Sequence, residues 1–70
     1  MNLFVKALVD HYNSQISEAL ATLNVYLNQP VGIGEHSDLL AECKKYVSLL
    51  DEADSKLSTI EKYLTPKNNS

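Results

Sequence analysis

The 70-residue sequence predicts an all-α protein, an antiparallel hairpin of two helices over residues 1–66 that assembles into a homodimeric four-helix bundle or a higher oligomer. Two long segments carry apolar residues at alternating spacings of four and three, the pattern of helices packed as in a coiled coil. A short stretch holding both glycines separates them, and short connections join antiparallel helices. The last residues, 67–70, are predicted to form a frayed tail.

The first predicted helix covers about residues 3–28, because no glycine or proline interrupts this segment and Gln29-Pro30 closes it. A loop is predicted over residues 29–36. The apolar seam of the first helix comprises Val5, Val9, Tyr12, Ile16, Ala19, Leu23 and Tyr26.

The second predicted helix covers about residues 37–65. Ser37 is a suitable N-cap, and Thr65-Pro66 ends the helix because the residue before a proline avoids helical backbone angles. The seam of this helix extends over nearly four heptads and comprises Leu39, Cys43, Tyr46, Leu50, Ala53, Leu57, Ile60 and Leu64.

A register between the helices follows from the position of the turn. If the turn centres near Gly32-Ile33, facing residues have numbers that sum to about 65. Each seam alanine then lies opposite a tyrosine, since Ala19 faces Tyr46 and Ala53 faces Tyr12. A large residue opposite a small one is what close packing favours.

Further apolar residues flank both seams and predict self-association. They widen each apolar stripe to the broad face of a bundle helix. A single hairpin would expose them as a patch larger than monomers usually tolerate, and a two-fold homo-oligomer covers such a patch. The flanking residues are Leu3, Phe4, Leu8, Leu20, Leu27, Leu40, Val47 and Leu49.

The charge of the chain argues against two classes of function. Nine acidic residues oppose six lysines, there is no arginine, and the net charge is −3. Binding of nucleic acid or of a membrane surface usually needs a basic stripe, so neither is expected. The single cysteine, Cys43, fits a reducing compartment and predicts a cytoplasmic location.

The glycine-containing stretch has two interpretations. It is either only the turn of the hairpin or a binding loop in which backbone amides at the start of a helix grip an anion or a partner. The candidate binding residues are Gly32, Gly34, Glu35, His36 and Asp38. The stretch lacks the Lys-Ser/Thr of a phosphate-binding loop, and the register places the other histidine far away. No metal site and no cofactor are therefore predicted.

A second candidate site involves the tyrosines beside the seams. Where two hairpins meet, aromatic rings and lysines can line a groove for a small anionic or aromatic ligand. The residues of this alternative groove are Tyr12, Tyr26, Tyr46, Lys44 and Lys45.

The stretches NVYLNQPVGIGEHSDLLAE and DEADSKLSTIEKYL resemble small proteins of large tailed bacteriophages. The resemblance covers roughly residues 15–64, and Val31-Gly32-Ile33-Gly34-Glu35-His36 is its most specific part. It implies a phage origin, a place in the host cytosol and a helix–loop–helix fold, but no particular activity.

Three functions are open at this point, none of them enzymatic. The leading hypothesis is a phage-type accessory protein that binds a host or viral protein in host takeover or immune evasion. The alternative is an oligomeric sponge that sequesters a small nucleotide-like signalling ligand between protomers. A further alternative is a structural or assembly component of the virion. No nucleophile with a partner base is evident in the sequence, so no enzyme is predicted.

Overall fold

A computed structural model describes residues 2–28 and 36–66, and within them it contains two helices and no strand. Helix α1 is Leu3–Asn28 and helix α2 is His36–Leu64. The predicted all-α pair of packed helices is confirmed. Helix α2 begins and ends one residue earlier than predicted, which is within the usual spread of helix assignment. Of the predicted loop only His36 lies in the described part, and the predicted tail lies outside it.

Helix α1 begins with a cap that the sequence reasoning missed. The Asn2 side-chain Oδ1 accepts hydrogen bonds from the backbone amides of Phe4, at 2.7 Å, and of Val5, at 3.3 Å. These amides belong to the first turn and have no partner within the helix. Asparagine is among the best residues for this role, and its signal in the sequence was its place just before the first apolar residues.

Helix α2 ends at a side-chain cap. The Thr65 hydroxyl donates to the carbonyl of Glu61 at 2.6 Å and to that of Ile60 at 3.4 Å. The Glu61 carbonyl is one of the last four of the helix, to which the helix itself offers no amide. Since Pro66 has no amide hydrogen to donate, the threonine side chain takes over part of that role.

The helices run antiparallel. The Gln15 side-chain Nε2 donates to the Leu49 carbonyl at 3.1 Å, and the numbers of these residues sum to 64, close to the predicted register. Leu8, early in α1, shares a groove with Ile60, late in α2. Helix α2, the longer of the two with 29 residues, is roughly 44 Å long at about 1.5 Å per residue.

The seams meet between the helices. Every predicted seam residue of α1 is buried or half-buried, and so is every one of α2 except Leu64. Leu64 differs because the register places it opposite residue 1, before α1 begins, so it stays 51% exposed. Among the described residues the buried hydrophobic core is Ala19, Leu23, Ala53 and Ile60. Two of these four are alanines, so the fully buried core of a single hairpin is small.

The two sides of the seam are not equivalent. On one side the flanking residues Gln15, Thr22, Glu42 and Leu49 are half-buried, whereas Leu8, Lys56 and Tyr63, nearer the end away from the loop, are exposed. On the other side the flanking residues are all exposed, and we call that side the open face; it comprises Lys6, Asn13, Leu20, Leu27, Leu40, Val47, Asp54 and Glu61. The bond from Gln15 to the Leu49 carbonyl joins the helices on the first side, where these flanking residues are half-buried.

Candidate binding surfaces

The loop candidates lie largely outside the described residues. Gly32, Gly34 and Glu35 are not described, so the two interpretations of the loop stay open. His36 is the first residue of α2 by its backbone. Asp38 is exposed in the first turn of that helix, where its negative charge complements the positive end of the helix dipole.

The tyrosines of the alternative groove divide into two groups. The rings of Tyr26 and Tyr46 approach each other across the helices, with centroids 6.4 Å apart and planes tilted by 60°. The Lys45 ammonium lies 5.2 Å from the centroid of the Tyr46 ring, within the range of a cation–π contact. Three of the five predicted groove residues therefore lie together, while Lys44 is exposed beside them in the chain.

Helix geometry explains why these two rings meet. Side chains on a helix lean toward its N-terminus. In an antiparallel pair this direction is opposite for the two helices, so Tyr26 leans away from the loop end and Tyr46 leans toward it. The rings meet although their residue numbers sum to 72, one heptad beyond the predicted register.

Tyr12 belongs to a different place. It lies 14 residues before Tyr26 on α1, roughly 21 Å along the helix at about 1.5 Å per residue. The His11 ring stands edge-on to it, with centroids 4.7 Å apart. Tyr12 lines an apolar groove of about 360 Å³ formed with Leu8, Ser55, Lys56, Thr59 and Ile60. A single hairpin therefore does not gather all the predicted tyrosines into one pocket.

A second depression, of about 540 Å³, lies on α2 alone. Its lining residues are Ser55, Ser58, Thr59, Glu61, Lys62 and Tyr63. All of them belong to one helix, so this is a surface channel between neighbouring side chains. The Lys62 ammonium lies 5.4 Å from the Tyr63 ring centroid at its edge.

Exposed apolar side chains are the most prominent surface feature. Leu3 and Phe4 are 80% and 82% exposed at the start of α1. On the side of the seam away from the open face, Phe4 and Leu8 are neighbours at i and i+4. The register brings Tyr63 to the same end of the hairpin, the end away from the loop. We call Phe4, Leu8 and Tyr63 the tip patch. Of the predicted flanking residues, only Leu49 is half-buried.

A polar cluster beside the seam was missed by the sequence reasoning. Besides its bond to Leu49, the Gln15 Nε2 lies 3.5 Å from Glu52 Oε1, and the Lys56 ammonium lies 3.1 Å from Glu52 Oε2. The ion pair of Glu52 with Lys56 was predicted from their i,i+4 spacing. The contact between Gln15 and Glu52 was not predicted, although their residue numbers sum to 67, near the predicted sum of about 65.

We expect Glu52 to give the protein a measurable acid sensitivity. The hydrogen bond and charge of Lys56, with help from Gln15, hold the pKa of Glu52 below its ordinary value of 4.5. A carboxylate with a lowered pKa stabilises the fold above that value, and the contribution is lost as the pH falls through the folded-state pKa. Glu52→Gln is therefore expected to flatten the loss of thermal stability below pH 4.5, slightly, since the group is exposed. Glu18→Gln, which removes a carboxylate elsewhere, is the control, and equal pH profiles of the two variants would refute the expectation.

Comparisons with known proteins supply no relative. Neither the protein-family models, nor the curated proteins, nor the solved structures contain a match to the chain. Within residues 2–28 and 36–66 no cluster of three or more histidine, cysteine or acidic side chains could hold a metal ion. Neither α1 nor α2 is long and apolar enough to cross a membrane. Cys43 is a free, half-buried thiol on the seam.

Proposed function

We propose that this chain is a non-enzymatic accessory protein that acts by binding protein chains in the cytosol of a bacterial cell. The observation that supports the proposal is the balance of its apolar side chains. Among the described residues ten large hydrophobic side chains are exposed, while only four hydrophobic residues are buried. Monomeric proteins rarely expose large contiguous apolar patches, and such patches usually mark interaction sites.

The exposed apolar residues point to two separate contacts. Four of them lie on the open face, which we assign to self-association into a homo-oligomer. The tip patch lies on the other side of the seam and at the other end, so a second copy packed on the open face leaves it free. It adjoins the groove of Leu8, Tyr12 and Ile60, which fits an apolar side chain from the amphipathic helix of another protein.

The phage setting belongs to the same proposal. It rests on the resemblance of the loop motif and of the second helix to small phage proteins. In that setting the partner is a host protein that the phage disables or a viral protein that it assists. The loop residues then provide a further contact, through the exposed carboxylate of Asp38 and the start of α2.

The test is a capture experiment with matched variants expressed in bacterial cells. The double variant Phe4→Ser/Leu8→Ser removes most of the tip patch, whereas Leu3→Ser removes an equally exposed side chain outside it. Burying one such side chain contributes about 1.5–3 kcal/mol, so the double variant should retain at least roughly tenfold less partner. A set of captured proteins that is the same for both variants and the wild type would contradict the proposal.

The sponge remains a second candidate because of one observation, the cluster of Tyr26, Tyr46 and Lys45. Two aromatic faces and an ammonium are the groups that hold a small anionic aromatic ligand. Native mass spectrometry of gently purified protein separates the two functions. An added mass of roughly a few hundred daltons per assembly, lost in Tyr46→Ala, favours the sponge, since drug-sized ligands fill such pockets. An oligomer without added mass favours protein binding.

A further inference from the structure

The open face has an uneven composition along its length. Toward the loop end, where α1 ends and α2 begins, it carries only apolar side chains: Leu20, Leu27, Leu40 and Val47. Toward the other end it carries polar and charged ones: Lys6, Asn13, Asp54 and Glu61. The register pairs these residues across the two helices, Leu27 beside Leu40 and Lys6 beside Glu61, with numbers that sum to 67.

A second copy of the chain is the occupant that fits this face. The described hairpin buries only four core residues, two of them alanines, and a chain of this size seldom folds alone on so small a core. A second copy is always present when the chain folds. The open face runs from residue 6 to 27 on α1 and from 40 to 61 on α2, roughly 32 Å at about 1.5 Å per residue, so a second copy of the same length covers it from end to end.

We propose that two hairpins pack open face to open face about a two-fold axis parallel to the helices, with both loop ends at the same end of the bundle. This deepens the self-association within the proposed function and rests on it. The axis brings α1 of one copy against α2 of the other. Leu20 then meets the partner's Val47, and Leu27 meets the partner's Leu40. At the polar end Lys6, whose ammonium lies 2.7 Å from Asp10 Oδ2 in its own helix, meets the partner's Glu61, so opposite charges face each other.

The reverse arrangement, with the loop ends at opposite ends, is incompatible with the same residues. It would bring Leu27 against the partner's Lys6 and Leu40 against the partner's Glu61. The two-fold axis repeats these mismatched contacts at both ends of the bundle. Apolar side chains would then be buried against charges that lose their water without gaining a partner. Every adjacent pair of helices is antiparallel in both arrangements, so the side chains and not the helix dipoles distinguish them.

The first test measures association by sedimentation equilibrium with two matched variants. Leu40 on the open face and Val25 outside it are both 57% exposed in the single hairpin. Leu40→Glu places two carboxylates in the apolar half of the interface and should raise the dissociation constant of the dimer roughly 100-fold or more. Val25→Glu should change it less than about threefold. Equal effects of the two variants, or a monomeric wild type, would overturn the proposal.

The second test measures orientation without disturbing the interface. Nitroxide labels on Asn28→Cys or on Lys62→Cys, each with Cys43→Ala, lie on the outer surfaces near opposite ends of the hairpin. In the proposed dimer the two labelled positions, one in each copy, are separated only by the width of the bundle, about 20 Å between their backbones. The reverse orientation adds roughly 35 Å along the axis at both sites. Long distances at both sites would overturn the orientation while leaving self-association intact, and partner capture through the tip patch is read separately.

Discussion

Ile60→Ala is expected to lower the free energy of unfolding by about 2–4 kcal/mol, the largest effect of any single truncation in the seam. Ile60 is 6% exposed and is the largest of the four buried core residues together with Leu23. Its removal leaves a cavity next to the groove of Leu8 and Tyr12, and the long helices cannot collapse locally to fill it. For a domain of this size each kcal/mol of lost unfolding free energy lowers the melting temperature by roughly 4–8 °C. Thermal unfolding followed by circular dichroism therefore detects the change.

Leu64→Ala is the matched control for that prediction. Leu64 is the next residue of the same seam, four positions after Ile60, but is 51% exposed because α1 does not reach it. Its truncation should cost under about 1 kcal/mol. Both variants must be compared at one protein concentration, since self-association makes the midpoint concentration-dependent. If the two substitutions cost the same, the packing at the end of the hairpin differs from the structure described above.

Ala53→Leu is expected to destabilise the hairpin by about 1–3 kcal/mol through overpacking. Ala53 is fully buried at 0% exposure, and the seam at this point admits only a methyl group between the helices. A larger side chain pushes α1 and α2 apart and lengthens the bond from Gln15 to the Leu49 carbonyl, about one helical turn away. Urea unfolding monitored by circular dichroism measures the loss of stability.

Ala21→Leu provides the same substitution on the exposed side of α1 and is expected to change stability by less than about 0.5 kcal/mol. Alanine and leucine have similar helix propensities, so the comparison isolates packing from helix formation. A stabilising effect of Ala53→Leu would mean that the seam is loosely packed at this layer. It would also remove the packing reason for each seam alanine to lie opposite a tyrosine of the other helix.

The exposed apolar residues form two surfaces with different symmetry, the open face of the proposed dimer and the tip patch of the proposed partner site. On the open face the apolar residues match one another under a two-fold axis, which is the requirement for an isologous contact. The tip patch of Phe4, Leu8 and Tyr63 lacks such a counterpart near the axis. A different protein is therefore the better occupant for it, and the two surfaces can be disabled one at a time.

The spacing of apolar residues was sufficient to predict the architecture of this protein. Helical periodicity depends on neighbours within a few residues, so the seams, the two long helices and their antiparallel order were readable from the sequence. The exposed end of the seam at Leu64 was not read, although helix lengths and register together imply it. The cap at Asn2 was also available as a local signal and was overlooked.

Only the tertiary structure showed which flank of the seam is exposed and which tyrosines meet. These features depend on the rotation of each helix about its axis and on the direction in which its side chains lean. Spacing alone does not distinguish the two flanks of a seam. In the structure, however, Gln15 and Leu49 are half-buried and bonded on one side, while Leu20, Leu27, Leu40 and Val47 are exposed on the other. Spacing likewise grouped the tyrosines, whereas the lean of helical side chains joins Tyr26 to Tyr46 and sends Tyr12 to another groove. A one-dimensional pattern fixes which residues lie near the seam, but only the packed helices fix which side they close and which they leave for another chain.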